Sequence, residues 1–442
     1  MGETGVSSKM FKRVKPKELY YVMRDGFANF RRDILQMRGT NVWTFIMYGL
    51  LFDVANNLWR PFSIKFLERL GGTELELSLL SALPGLVGAI VLLPGAILFR
   101  RFADRKRATA AFILISRAML LGIAFVPMLP PAIRPMLFVV LVAIMNCPDA
   151  LSQNSLQSFL GTVFNGSLRG QAIALRTKFG QALIPVVTIT TGLAITFIPN
   201  TDEQRMILYQ IFFIAAFLFG VVEVFVFNRL QVPPALPEQE IPTIKTDLMA
   251  IKTICKDKKF IAFLVPAVAF AFTWQAGWPL ANIYHVRVIN ATELWLAIFA
   301  LSSGLAAFFS GTFWQKLLRK RGNNAVFVVS AVLLSGNMFV FPLVPNVFVM
   351  AFVSVFTGFS AVGINTALLN GALEATPDEN RLMYLAFYNT TMNVSLFIAP
   401  LFAWAVLARV GISYALVIFG IMRAGGAVFI WLAHKYKKEI KP

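Results

Sequence analysis

The chain is poor in the side chains that most often carry chemistry. It holds two cysteines, Cys147 and Cys255. One falls in an apolar segment and the other in a polar one, so neither a disulfide nor a cysteine-based metal site is expected. Two histidines, His285 and His434, supply little for metal binding or acid–base catalysis, and no cofactor is expected. No nucleophile–base pair is visible, which argues against an enzyme. No G-x-x-x-x-G-K-[ST] run occurs, so ATP-driven pumping would need a partner. Acids are also scarce, with Asp and Glu numbering 22 against 41 Lys and Arg, a net charge of +19. In a water-soluble chain that excess would suggest nucleic acid. Here the basic residues gather in alternate short connections, the positive-inside pattern, so no nucleic acid is expected. The first 40 residues are basic and carry no long apolar run, so no cleavable signal peptide is expected.

What the chain has in quantity is apolar surface. It is 57% hydrophobic and only 14% charged, with 42 Phe against 9 Tyr, and its mean hydropathy is +0.68. This is the composition of a polytopic membrane protein. Apolar segments fall near 41–66, 74–99, 108–129, 133–160, 169–197, 205–228, 259–285, 292–318, 324–343, 346–374, 381–408 and 411–433. The fold class expected is all-α, with twelve transmembrane helices in two pseudo-symmetric six-helix bundles. Basic clusters precede the first segment, follow the second, eighth and twelfth, and separate the fourth from the fifth and the sixth from the seventh. That puts both termini in the cytoplasm. Residues 1–40 read as a basic cytoplasmic segment, with either an amphipathic interfacial helix near 19–37 or a flexible tail. Residues 41–229 and 259–434 are the two bundles, the proline-rich stretch 230–258 is a cytoplasmic linker, and 435–442 is a basic tail.

The two halves repeat. A shift of 219 places Trp59 on Trp278, Thr73-Glu74-Leu75 on Thr292-Glu293-Leu294, and Gly85 on Gly304. A shift of 216 places Gly95 on Gly311, Arg100 on Lys316 and Arg105 on Arg321. Parallel repeats about an axis along the membrane normal put a binding site at the midplane between them.

The first segment, NVWTFIMYGLLFDVANNLWRPFSIKF, is the most informative. It is long enough to cross a hydrocarbon core of ~30 Å, yet it carries Asp53, Asn56, Asn57 and Arg60. At ~100° per residue these fall on one face. A bare charge in lipid is expensive, so that face looks into protein or a wet cavity. Either it lines a pathway, or its charges only lock the helix to its neighbours. Asp53 and Arg60 lie about 10 Å apart along a helix, so each needs a partner elsewhere, and Asp149 is one candidate for Arg60.

After residue 40 the chain resembles the major facilitator superfamily. The family's signature between helices 2 and 3, G-x-L-A-D-R-x-G-R-R, corresponds to the stretch 100–107, RRFADRKR. Its core is kept as Ala103-Asp104-Arg105, with Arg100 and Arg107 in the places of the two glycines. The antiporter signatures of helices 4 and 5 are not matched; only Gly180 and Pro185 correspond. The resemblance implies a transporter whose helices 1, 4, 7 and 10 line the cavity, with helices 3, 6, 9 and 12 at the periphery. It gives Asp104, with Arg105 beside it, a gating role at the cytoplasmic ends of the helices. A charge cluster that only fixes topology is the alternative.

Polar residues on those helices are the site candidates. Helix 4 carries Asn146, Asp149, Gln153 and Gln157 on one face; helix 7 carries Trp274, Gln275, Trp278 and Asn282; helix 10 offers Asn365, and helix 11 adds Tyr388, Asn389 and Asn393. The charges sit in the N-terminal half, so Asp53 or Asp149 is expected to couple an ion. Asn56, Asn57, Arg60 and the helix 4, 7, 10 and 11 residues are expected to meet substrate; interhelical hydrogen bonding is the alternative. Arg117 and Glu223 are expected to pair, Arg423 to be structural, Arg176 and Lys178 to reach for the cytoplasmic surface, and His285 to lie at the surface. The expectation is a proton-coupled transporter of a small organic solute, monomeric and set in the lipid bilayer of a plasma membrane, a prokaryotic inner membrane by its short loops. Export is favoured over uptake of a sugar or organic anion. A transporter-like receptor that moves nothing is the other class.

Overall fold

A computed structural model describes residues 40–100, 102, 104–164, 166–231, 252–377 and 381–439. The expected N-terminal amphipathic helix, most of the 230–258 linker and the end of the tail lie outside the described residues, as do the side chains of Gln157 and Arg105.

Among the described residues the long elements are all helical. They are α1 (Asn41–Asn57), α2 (Glu74–Arg100), α3 (Arg105–Phe125), α4 (Arg134–Val163), α5 (Gly166–Phe197), α6 (Asp202–Asn228), α7 (Lys258–Ile283), α8 (Glu293–Arg321), α9 (Asn323–Leu343), α10 (Val347–Ala375), α11 (Arg381–Val410) and α12 (Ile412–Glu439). Nine stretches among them are long and apolar enough to cross a membrane, one of which, Glu293–Leu343, takes in both α8 and α9. Helix starts follow from local chemistry. The Thr201 hydroxyl accepts from the Gln204 amide at α6, and the Asp257 carboxylate accepts from the Lys259 and Phe260 amides at α7. Each satisfies donors that the first helical turn leaves unpaired.

The first segment differs from the continuous helix expected over 41–66. α1 stops at Asn57, a 3-10 turn spans Arg60–Phe62, and a short helix follows over Ser63–Arg69. Pro61 is the cause: it has no amide proton, and its ring clashes with the carbonyl one turn back. The break falls at Arg60, so the guanidinium leaves the chain at a bend.

α1 packs on α5 and α6, α2 on α4, and α3 on α4 and α6. In the second group α7 packs on α11 and α12, α8 on α10, and α9 on α10 and α12. The groups meet where α2 lies along α11 and α5 along α8. Gly85 and Gly88 of α2 sit against Asn393 and Phe397 of α11. Phe66 anchors the first group, its ring 5.1 Å from Phe138 and 5.0 Å from both Tyr209 and Phe213. In lipid, close packing rather than water exclusion holds helices together, so contacts of this kind carry the fold.

Candidate functional site

Two ionic networks cross the first helix group. In one, the buried Asp53 of α1 receives Arg176 of α5 at 2.8 Å, and the same guanidinium reaches the Gly49 carbonyl. Gly180 lies directly on the Asp53 carboxylate. Arg176 therefore turns into the bundle instead of reaching for the surface. Burying Asp53 without a cation would be costly, and Arg176, one turn before Gly180, is the cation within reach.

In the other network Arg60 lies 3.3 Å from Asp149 on α4. Arg117 of α3 lies 3.6 Å from the second Asp149 oxygen and 2.9 Å from Glu223 of α6. Arg117 and Glu223 pair as expected, and the pair is continuous with Asp149. Pro148 precedes Asp149 inside α4, so the helix lacks an amide hydrogen bond beside the carboxylate. The Arg60 side chain is 43% exposed, whereas those of Arg117 and Glu223 are 2% and 0%. The network thus runs from the partly exposed Arg60 to the centre of the bundle. Three guanidiniums, Arg60, Arg117 and Arg176, face three carboxylates, Asp53, Asp149 and Glu223, so the two networks balance in charge.

The amides are mostly engaged. Asn56 donates to the Phe52 carbonyl and Asn57 to that of Asp53, both at 2.8 Å. Thr188 of α5 donates to Asn57, and Asn146 donates to the Val142 carbonyl. Gln153 is half-buried on α4.

Two adjoining cavities of about 430 and 590 Å³ lie among the helices of the second group, the smaller one also lined by Leu80, Ser81 and Pro84 of α2. Trp274, Trp278 and Thr357 line both, and the two indoles meet edge to face at 5.8 Å. Asn282 lines the smaller cavity. Gln275, Asn365, Tyr388 and Asn389 line the larger. Gln275 is tied to α11, accepting from Ser395 at 2.6 Å and donating to the Met392 carbonyl. Asn393 belongs to the α2–α11 seam and bonds back to Asn389. His285 is not a surface residue: a π-type widening over Tyr284–Val288 turns its ring between Phe299 and Phe341 and onto the smaller cavity.

Asp104 caps its own helix, accepting from the Arg107 amide at 2.9 Å and pairing with its guanidinium at 3.1 Å.

The closure between the two groups was not evident from the sequence. Arg69, ending the short helix, donates to Glu293 at the start of α8 at 2.7 Å. Arg69 also reaches Asp202 of α6 at 3.2 Å, and Tyr209 donates to Glu293 at 3.0 Å. Beside them Arg287 donates to the Gly72 carbonyl, and the Leu294 amide to Thr196. Glu293 was visible only as half of the Thr-Glu-Leu repeat.

A multi-pass helical protein with two helix groups closed at one end and cavities between helices is a membrane transporter in architecture. The family model described as Major Facilitator Superfamily matches residues 44–373 and 289–442, and the chain belongs to that family of non-enzymatic secondary transporters. Among curated proteins none matches the sequence. Solved structures share the fold. The nucleoside transporter NupG aligns with a TM-score of 0.67 at 12% identity, over 90% of this chain and 100% of its own. A bacterial homologue of the human lysosomal transporter Spinster, inward-facing and occupied, gives 0.65 at 12%, over 89% and 96%. A POT family transporter in complex with a thioalcohol-conjugated peptide gives 0.66 at 12%, over 91% and 96%.

Proposed function

We propose that the protein moves a small organic solute across the membrane by alternating access, coupled to protons, with export as the direction. The observation that carries this reading is the pair of charge-balanced networks at Asp53 and Asp149. A proton taken up by either carboxylate releases its guanidinium and leaves a net positive charge within the first helix group. That charge couples protonation to the helix contacts the guanidinium was holding. Asp53 and Asp149 are the coupling groups, and Asn56, Asn57, Arg60, Asn146 and Gln153 form the polar wall; Gln157 joins that set by its sequence spacing on helix 4 alone. The solute rests against Trp274, Gln275, Trp278, Asn282, Asn365, Tyr388, Asn389 and Asn393.

In this reading residues 41–229 and 259–434 are the two moving bundles, 230–258 is the cytoplasmic linker, and the basic segments 1–40 and 435–442 lie in the cytoplasm. The Arg69–Glu293 closure is then external, and the conformation faces inward. Asp104 would exchange its own-helix cap for contacts at the inner gate when that gate closes. The protein acts as a monomer in a prokaryotic plasma membrane. Uptake of an organic anion is the second reading, favoured by the open position of Arg60.

Proteoliposomes holding a pH-sensitive dye test the proposal. Wild type should show solute-dependent proton movement, and Asp53→Asn or Asp149→Asn should abolish it. Solute flux without proton movement in wild type would end the coupling role, and flux of no solute would favour a receptor.

A further inference from the structure

Among its described residues the second helix group contains a deeply buried cation that the networks above do not use. Arg423 of α12 is 1% exposed. Two of its nitrogens are fixed by carbonyls: Nη1 donates to Leu334 at 3.2 Å, and Nη2 to Thr273 at 3.2 Å and Trp274 at 3.4 Å. The guanidinium reaches these α7 carbonyls because residue 277 is glycine; any Cβ there would collide with Nη2. A guanidinium has five N–H donors. Three are used, and Nε has no hydrogen-bond partner among the described residues.

Among the described residues no carboxylate pairs with it. Between residues 258 and 442 the acids are Glu293, Glu374, Asp378, Glu379 and Glu439. Glu293, Glu374 and Glu439 lie at the ends of α8, α10 and α12, whereas Arg423 is near the middle of α12, and Glu293 is already engaged by Arg69. By contrast Arg117, the buried arginine on α3 of the first group, has Glu223 and Asp149. A buried charge with no counter-ion is costly to maintain.

Arg423 lines the 430 Å³ cavity together with Trp278, Asn282 and His285. His285 Nε2 is also buried without a hydrogen-bond partner among the described residues. Two unfilled nitrogens, one of them cationic, therefore border one apolar, aromatic chamber. The two tryptophans stand between this chamber and the larger one.

We propose that this cavity binds the carboxylate of a small organic anion, with Arg423 as its charge partner and the Trp274–Trp278 pair packed against its apolar body. This deepens the transporter reading and rests on it for the claim that the bound anion is cargo. The fixed guanidinium supplies a charge whose orientation is set before the ligand arrives, so little is lost in ordering it on binding.

The test uses the full chain in detergent micelles and follows its melting temperature. The probes are carboxylates paired with their neutral amides: acetate with acetamide, phenylacetate with phenylacetamide, indole-3-acetate with indole-3-acetamide. Wild type should be protected by the aromatic acids and not by the amides. Arg423→Gln should weaken that protection at least tenfold, and Arg423→Lys should restore part of it. Because Arg423→Gln could fail to fold, Ala281→Phe serves as the second variant. It fills the chamber while keeping Arg423, and it should abolish protection with an unchanged ligand-free melting temperature. No carboxylate-specific protection of wild type, or protection undiminished in both variants, overturns the proposal and leaves Arg423 a strut between α7, α9 and α12. Proteoliposome flux of a neutral solute without any carboxylate effect sinks this site and spares the transporter reading. Carboxylate protection lost in Arg423→Gln with no flux of any solute keeps the site and removes that reading.

Discussion

Arg69 and Glu293, 224 residues apart in sequence, form a 2.7 Å charge-assisted hydrogen bond between the two helix groups. The Glu293 side chain is only 2% exposed and that of Arg69 21%. Tyr209 donates to the same Glu293 oxygen. A buried, doubly hydrogen-bonded ion pair is strong when made and costly when half removed. Those are the properties of a latch between two arrangements of packed helices.

Glu293→Gln keeps the shape of that latch and removes its charge. It should shift the population toward opening at this end by roughly tenfold, the effect of losing about 1.4 kcal/mol. A cysteine introduced at Thr196, with Cys147 and Cys255 replaced, reports the change. Its thiol-labelling rate should rise by about the same factor, and an unchanged rate would show that the pair does not hold the closure.

Arg117 and Glu223 behave differently, because both side chains are almost fully buried within one helix group. Removing either partner leaves an uncompensated charge, so Glu223→Gln or Arg117→Gln alone should cost about 3–5 kcal/mol of stability. The double variant should be less damaging than the sum, since it removes both charges. Thermal unfolding of the four proteins measures the coupling; strictly additive losses would mean that the pair contributes nothing as a pair.

Gly180 leaves room for the Asp53 carboxylate, and a Cβ added there would stand 2.5 Å from its Oδ2. Gly180→Ala should displace the carboxylate from Arg176 and lower proton-coupled transport several-fold. The change is small by composition, so a transport assay normalised to folded protein distinguishes loss of the pair from loss of fold.

Asp257 illustrates a simpler effect outside the membrane spans. Its carboxyl is held below the ordinary range, chiefly by the Phe260 amide, with the Tyr384 hydroxyl and the Lys259 amide adding to it. A depressed carboxyl stabilises the folded state above its unfolded pKa, and that contribution disappears as pH falls through the folded value. Asp257→Ala should therefore cost about 1 kcal/mol near neutral pH and little in strong acid. Melting curves at neutral and acidic pH check the sign; an equal loss at both would contradict it.

The helical plan was legible because it rests on apolar run length and basic-loop asymmetry, which are local properties of the sequence. The break at Pro61 was less legible, since Pro148 and Pro185 sit inside α4 and α5 without ending them. Asp53, Arg60 and Asp149 stood out in the sequence because each is a charge inside an apolar stretch, although the break before Pro61 takes Arg60 off the helix face it would have shared with Asp53. Their partners did not. Arg176 looked like an end-of-helix arginine, and only the close approach of α1 to α5 at Gly49 and Gly180 brings it onto Asp53. The Arg69–Glu293 contact joins two loops far apart in the chain, so helical periodicity holds no trace of it. His285 was assigned to the surface from its position near the end of helix 7 and Arg423 to the periphery from its helix number; the widened turn after α7 and the glycine at 277 decide where they point.

The most direct test of alternating access is a pair of spin-label distances, measured in proteoliposomes with and without solute and at two pH values. One pair spans the Arg69 end, from Thr196 on α5 to Leu294 on α8. The other spans the opposite end, from Lys106 on α3 to Arg319 on α8. Alternating access predicts reciprocal change: the first distance lengthens as the second shortens, and Glu293→Gln biases both in that direction. Distances that stay fixed at both ends under every condition, in a preparation that binds solute, would contradict it.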